Sequence, residues 1–165
     1  MGSKLKQFET PRIENVGPIL IVGLRERFTA STMNTVPMQW ERFASHLGKI
    51  PSQVGRTTYG LCFNMFGSAP IEYLAGVEVS GFADVTADLT RATIPAQRCA
   101  IFHHRAHVSQ VHITVDTILR EWLPSSGYQL AHAAPDAPDF FERYGEEFNP
   151  STGTGGIEVW MPLSA

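Results

Sequence analysis

One glutamate stands inside an apolar stretch near the end of this 165-residue chain, in the segment GGIEVWMPL at 155–163. Trp160 follows Glu158 by two positions, so a strand would place the carboxylate and the indole on the same face. Burying an uncompensated carboxylate is costly, so the pair suggests a function. A carboxylate beside an aromatic ring can bind a cation, or it can orient or deprotonate a water molecule. An edge strand would instead point Glu158 into solvent and leave Trp160 in the core.

The same phrase occurs earlier in the chain. Residues 75–81 read AGVEVSG, and both phrases contain glycine, an aliphatic residue, glutamate and valine in that order. Glu78 is therefore the counterpart of Glu158. The sequence leaves open whether Glu78 lines a binding groove or lies at the surface.

A cluster of histidines is the other group of potentially reactive side chains. His103, His104 and His107 lie in HHRAH, and His112 follows. A structural zinc site needs four good ligands and a catalytic site three, but this segment spans a strand end and a helix start, which spreads its side chains. The sequence also lacks a Ser-His-Asp order, a glycine-rich phosphate loop and paired CxxC motifs. We therefore expect no metal and no cofactor.

The composition limits the class of protein. Hydrophobic residues make up 43% and charged residues 18%, which is typical of one globular domain of this length. The net charge is −3, and no dense cluster of Lys and Arg suggests a nucleic-acid surface. The sequence has neither a signal peptide nor an apolar run that could span a membrane, so we expect a cytoplasmic protein without direct DNA or membrane binding.

Alternating and helical periodicities predict the elements that would position these side chains. Each half of the chain reads as strand, helix, strand, strand, and each helix contains a tryptophan, Trp40 or Trp122. The predicted strands are 18–28, 56–64, 71–80, 95–106, 128–133 and 157–163, and the predicted helices are 38–50 and 108–123.

The repeated order predicts an α+β fold built from a duplicated β-α-β-β unit with pseudo-two-fold symmetry. The units are 18–80 and 95–163, within one domain at 18–163 that follows an N-terminal lead-in at 1–17. Each unit covers one side of its antiparallel sheet with a helix. We therefore expect the two sheets to form a central ligand groove, with the helices on the outer face.

Three segments of the second half resemble a known family. WLPSSGYQL (122–130), FERY (141–144) and IEVWMPL (157–163) are similar to the C-terminal half of the GyrI-like small-molecule-binding domain, also called the bacterial transcription activator effector-binding domain. The resemblance covers roughly 12–163. One segment departs from it, because HHRAHVSQV stands where the family often has a glycine and a tyrosine.

The resemblance implies a stand-alone member, because the lead-in is too short for the helix-turn-helix found in related transcription regulators. It implies binding of amphipathic or cationic small molecules for sequestration, sensing or resistance. Two alternatives stay open. One is a hydrolase of a strained electrophile that uses a groove glutamate and an aromatic residue, and the other is a module that binds a protein partner, as in gyrase modulators. A binding protein is favoured over an enzyme, and no catalytic residue is assigned.

The family's acids lie on the C-terminal hairpin in a Glu-x-aromatic setting, and two pairs of this chain match that pattern. They are Glu142 with Tyr144 and Glu158 with Trp160. Aromatic residues on the strands of the first unit would form the other groove wall or would be ordinary core. The complete predicted ligand-binding set is Glu142, Glu158, Trp160, Tyr144, Tyr59, Phe63 and Tyr73.

Overall fold

The computed structural model describes residues 10–67, 69–131 and 136–164. Its strands join into one antiparallel sheet, in the order β1-β6-β8-β7-β3-β4-β2-β5. In chain order the strands are β1 (Arg12–Val16), β2 (Ile19–Phe28), β3 (Gln53–Phe63), β4 (Ile71–Val79), β5 (Thr90–Ile94), β6 (Gln97–His104), β7 (Phe140–Tyr144) and β8 (Ile157–Leu163).

The continuity of this sheet corrects the expectation of two separate sheets that face a groove. Strands β3 and β7 pair antiparallel, and Gly60 lies opposite Glu142 in their register. The ladder between these two strands joins the halves edge to edge, because it satisfies backbone groups that two separate sheets would leave exposed.

The strand order places β6, β8 and β7 on one side of the β7–β3 junction and β3, β4 and β2 on the other. In each half the last strand lies between the other two, as two copies of one unit would require. The duplication itself stays a prediction.

The structure corrects the predicted strands in two further ways. Two edge strands were not predicted, and one predicted strand is not formed as expected. The segment predicted as a lead-in, 1–17, contains β1, which pairs with β6, and β5 pairs with β2 at the other edge. The strand predicted at 128–133 is reduced to an isolated bridge between Leu130 and Leu163, and 132 and 133 lie outside the described residues. Strand β7 replaces it as the third element of the second half.

Both predicted helices are present, but the first ends at Ala44 instead of at the predicted residue 50. Helix α1 (Val36–Ala44) follows a 3₁₀ turn and has a proline in its first turn, where the missing N–H costs nothing. Helix α2 (Val111–Thr117) continues into a π-helical turn (Ile118–Trp122) and a last α-helical turn, α3 (Leu123–Ser126), which ends at Gly127 with a positive φ of 81°. None of the helices in the described ranges is long and apolar enough to cross a membrane.

The helices lie on one side of the sheet, which we call the helix face and which carries Tyr73, Val77 and Val159. Helix α1 contacts β2 and β4, and the Trp122 ring lies edge-on to Phe102, with 4.9 Å between ring centroids. The other side, the opposite face, has its own apolar cluster without a helix. Its buried members are Ile21, Tyr59, Leu61, Phe63, Leu74, Ile94 and Phe141.

Candidate functional site

The seven predicted ligand-binding residues lie on two different sides of the sheet. Glu142 lies opposite Val159 in the β7–β8 ladder, and Arg143 lies opposite Glu158. Because directly paired residues share a face, the two candidate glutamates point away from each other. The helix face carries Tyr73, Glu142 and Tyr144, and the opposite face carries Tyr59, Phe63, Glu158 and Trp160.

The carboxylate of Glu142 is held by two tyrosines through one of its oxygens. Tyr73 and Tyr144 each donate a hydroxyl hydrogen bond to Glu142 Oε1, at 2.8 and 2.6 Å. The other oxygen, Oε2, has no hydrogen-bond partner among the described residues. The side chain is partly buried, so Oε2 is the atom that remains available to a ligand.

Helix α1 adds a tryptophan to this cluster. Trp40 Nε1 donates to the Tyr73 hydroxyl at 3.1 Å, and the Trp40 ring lies edge-on to Tyr144, with 5.7 Å between centroids. Phe148 extends the aromatic wall, with its centroid 5.1 Å from that of Tyr144. In the sequence, Trp40 was notable only because each predicted helix contains one tryptophan. That repetition was the one signal that could have suggested a further role.

Gly60 makes room for the two polar groups. A Cβ atom at this position would lie 1.9 Å from the Tyr73 hydroxyl oxygen and 2.8 Å from Glu142 Oε1, which is too close for real atoms. A strand glycine often marks a place where another group must approach the backbone closely. Sequence reasoning missed Gly60, because its only signal was a glycine inside an otherwise regular strand.

The environment of Glu142 shifts the protonation equilibrium of its carboxyl towards the neutral form. Burial raises the pKa of the Glu142 carboxyl, and the hydrogen bonds from Tyr144 and Tyr73 lower it by less. Burial and the nearby carboxylate also hold the pKa values of Tyr73 and Tyr144 well above that of an exposed tyrosine, so both remain hydrogen-bond donors. Within the described part of the chain, no Arg, Lys or His forms a salt bridge with Glu142.

Known proteins resemble this chain in sequence and in fold. The sequence model of the GyrI-like small molecule binding domain matches residues 9–164. The chain belongs to this family. The GyrI-like domain is also similar to the transcriptional regulator BrlR of Pseudomonas aeruginosa, with 26% identity over 145 residues. That match covers 87% of this chain and 51% of BrlR, so the chain spans about half the length of this relative.

Solved structures share the fold of this GyrI-like domain. SAV2435, solved with bound tetraphenylphosphonium, has a TM-score of 0.72 and 17% identity, and the match covers 95% of each chain. EcmrR, solved in a complex with DNA, has a TM-score of 0.64 and 12% identity, and the match covers 98% of this chain and 61% of EcmrR. These likenesses show the fold.

Glu158 of this GyrI-like domain has the opposite electrostatic environment. Its carboxylate is 8% exposed, lies 3.3 Å from Arg12 Nη2 and 3.5 Å from Arg143 Nη1, and accepts a hydrogen bond from Trp160 Nε1 at 3.0 Å. Two guanidinium groups therefore already compensate the negative charge. The indole N–H of Trp160 is directed to the carboxylate. That Glu158 and Trp160 bind a ligand stays a prediction, and this arrangement does not favour it.

The two first-unit aromatics of the opposite face have protein partners of their own. The Tyr59 hydroxyl accepts a hydrogen bond from Arg143 Nε at 3.4 Å, and burial raises the pKa of Tyr59. The guanidinium of Arg25 lies 3.9 Å from the Phe63 ring centroid, a cation–π contact. Both residues are buried and separated from Glu142 by the sheet, so they do not complete its site.

The histidine segment forms the start of the second helical region. His104 is buried, with Nδ1 2.7 Å from the Thr114 hydroxyl and Nε2 2.8 Å from the His107 carbonyl oxygen. His107 Nδ1 accepts a hydrogen bond from the Ser109 backbone N–H. The His107 side chain therefore caps the 3₁₀ turn at Val108–Gln110. Among the residues with described positions, no group of three His, Cys, Asp or Glu side chains could hold a metal ion.

Proposed function

We propose that this GyrI-like domain binds a cationic, amphipathic small molecule against Glu142. The observation that supports the proposal is the carboxylate of Glu142, partly buried and without a basic partner, with Oε2 unbonded beside aromatic rings. A carboxylate in such a setting is costly to ionise by itself, and a bound cation would offset that cost.

The surroundings of Glu142 favour a cation whose charge is spread over an apolar body. The rings of Trp40, Tyr144 and Phe148 offer π-electron density and apolar area, which attract such ions. One carboxylate matches one positive charge, and the low local dielectric strengthens that attraction. The tetraphenylphosphonium bound by SAV2435, which shares this fold, is an ion of that class.

A calorimetric titration with tetraphenylphosphonium tests the proposal, with the neutral triphenylphosphine oxide as the matched ligand. Saturable binding of the cation, and much weaker binding of the neutral compound, is the expected result, because only the cation gains the attraction of the carboxylate. Equal affinity for both compounds would show that binding depends on apolar area alone and not on the charge of Glu142.

The affinity for the cation should depend on pH through Glu142. Because burial raises the pKa of this carboxyl, the ligand-free domain holds its proton to a higher pH than an exposed glutamate would. Cation binding requires the ionised form, so the affinity should be constant above the raised pKa and fall about tenfold per pH unit below it. Titrations at several pH values measure this, and a Glu142→Gln variant should give a flat profile.

The raised pKa of Glu142 also affects the stability of the ligand-free domain, which should change with pH in the opposite direction to the cation affinity. A raised pKa means that the folded state binds the proton more tightly than the unfolded state. The contribution of Glu142 to the free energy of unfolding should therefore decrease as pH rises from the ordinary glutamate range, near 4.5, through the raised value. Urea denaturation of the wild type and of Glu142→Gln as a function of pH separates this contribution from those of other groups.

We also propose that residues 18–163, together with β1, act as one effector-binding domain made of two β-α-β-β units. The matched strand orders on the two sides of the β7–β3 junction and the AGVEV and GGIEV phrases support it. A superposition in which 18–80 and 95–163 do not follow the same topology would contradict it. A role in sequestration, sensing or resistance, and the absence of direct DNA binding, remain expectations.

A further inference from the structure

A concave site lies on the chain where the last residues of β6 and β7 meet the first residues of β8. A cavity of about 370 Å³ opens where β6, β7 and β8 meet, within the size range of small-molecule sites. Its lining comes from the end of β6, the end of β7 and the loop that leads into β8, and it includes three pairs of residues two apart in sequence. Those pairs are His103 with Arg105, Arg143 with Gly145, and Gly156 with Glu158.

Arg143 has hydrogen-bonding capacity that the protein does not use. Its side chain is 33% exposed, and its protein contacts are long: 3.4 Å from Nε to the Tyr59 hydroxyl and 3.5 Å from Nη1 to Glu158 Oε1. Nη2 has no hydrogen-bond partner among the described residues. A guanidinium carries five N–H donors in a planar fork that matches a carboxylate or phosphate, so this group is under-bonded.

Gly145 leaves the space beside this guanidinium open, and Gly156 lies next to it in the cavity lining. Gly145 N–H donates to the Gly156 carbonyl at 2.9 Å, so the two residues lie side by side. A Cβ atom on Gly145 would meet only the Gly156 carbonyl oxygen at 3.5 Å and Arg143 Nη1 at 4.0 Å. Gly156 has a positive φ of 63°, which disfavours any larger residue there. The floor of the cavity is therefore bare backbone within reach of Arg143.

The carboxylate of Glu158 already contacts the guanidinium of Arg143. Its buried carboxylate shares Arg143 with Tyr59 and is also 3.3 Å from Arg12 Nη2. The charged lining of the cavity is balanced, with Arg105 and Arg143 against Glu147 and Glu158. An incoming anion would thus compete with Glu158, which limits its affinity in the wild type.

We propose that this cavity binds a small anion, a carboxylate or a phosphate group, through the guanidinium of Arg143. The site is independent of the proposed cation site, because Arg143 and Glu142 are adjacent on β7 and point to opposite sides of the sheet. Removing the charge of Glu158 should therefore strengthen anion binding, whereas removing the charge of Arg143 should weaken it.

Two-dimensional ¹H–¹⁵N NMR titrations test the proposal, with the backbone amides of Gly145 and Gly156 as local reporters. Inorganic phosphate and sodium acetate are added separately at constant ionic strength. Saturable shifts of both amides are expected for at least one anion, and the anion that saturates identifies the ligand class. Arg143→Gln should lower the affinity about tenfold or more, the scale of a lost charge-assisted contact, and Glu158→Gln should raise it.

Arg120→Gln is the matched control, because Arg120 is exposed on the second helical region and pairs with Asp116. Arg120→Gln should leave the anion-induced shifts of the two glycine amides unchanged. Absence of saturation with both anions, equal affinity of wild type and Arg143→Gln, or equal loss in Arg120→Gln would overturn the proposal. If Arg143→Gln fails to give a dispersed spectrum, Glu158→Gln decides, since an unchanged or lower affinity there contradicts the proposal.

Discussion

Replacement of Glu142 by glutamine is expected to weaken tetraphenylphosphonium binding by about 1–3 kcal/mol, or roughly 5- to 150-fold in Kd. Two unit charges 4 Å apart attract by about 4 kcal/mol at an effective dielectric of 20, and the solvation that the carboxylate loses offsets part of this. Glutamine keeps the size of the side chain and an oxygen for the hydroxyls of Tyr73 and Tyr144. The loss should therefore come from charge, measured by calorimetry near neutral pH.

Glu158→Gln is the matched control for this substitution. Glu158 also precedes an aromatic residue by two positions on a C-terminal strand, but it points to the opposite face and has two arginines as partners. Its affinity for tetraphenylphosphonium should stay within about twofold of the wild type, since a charge shielded by partners and by the sheet contributes little. A large loss in Glu158→Gln, with none in Glu142→Gln, would move the cation site to the opposite face.

Replacement of Gly60 by alanine is expected to damage both folding and binding. The new Cβ would lie 1.9 Å from the Tyr73 hydroxyl oxygen, and Tyr73 is 2% exposed and bonded to Trp40, so the ring cannot simply move away. Forcing a methyl group into a packed interior lowers the free energy of unfolding by about 1–3 kcal/mol. Urea denaturation measures this loss, and calorimetry should show weaker cation binding because Tyr73 no longer holds Glu142.

Gly17→Ala provides the control for this prediction, because a Cβ atom at Gly17 would meet nothing within 4 Å. Its stability should change by no more than about 0.5 kcal/mol. The double variant Gly60→Ala/Tyr73→Phe removes the hydroxyl that the methyl group strikes and should recover part of the stability lost in Gly60→Ala. A fully stable Gly60→Ala variant with unchanged affinity would contradict the assigned role of this glycine.

Helices and strands that bury one side could be predicted from the sequence, because apolar residues recur along that side with the period of the element. The alternation in β4 placed Tyr73, Ala75 and Val77 on one face, and the structure confirms it. The apolar spacing in α1 and in the second helical region was equally informative. The resemblance carried by FERY and IEVWMPL led to the GyrI-like family, which the match over 9–164 confirms.

The edge strand β1 could not be predicted, because it has no buried side to report. All but the last residue of β1 are exposed, so its sequence shows no alternation, and it is a strand only because β6 offers a free edge. The prediction of a strand at 128–133 was wrong for the opposite reason. It has the composition of a strand, but β7 pairs with both β3 and β8, which leaves Leu130 a single bridge.

The sequence by itself determined the order of most strands and helices, the family, and two Glu-x-aromatic pairs that look alike. Only the tertiary structure distinguishes Glu142 from Glu158. The register of β7 against β8 turns them to opposite faces, and distant residues then set their environments. Arg12, 146 positions before Glu158, helps to neutralise that acid, whereas Tyr73, 69 positions before Glu142, only donates a hydrogen bond to it. Charge compensation acts through space over a few ångströms, and the spacing of residues along one strand does not record it.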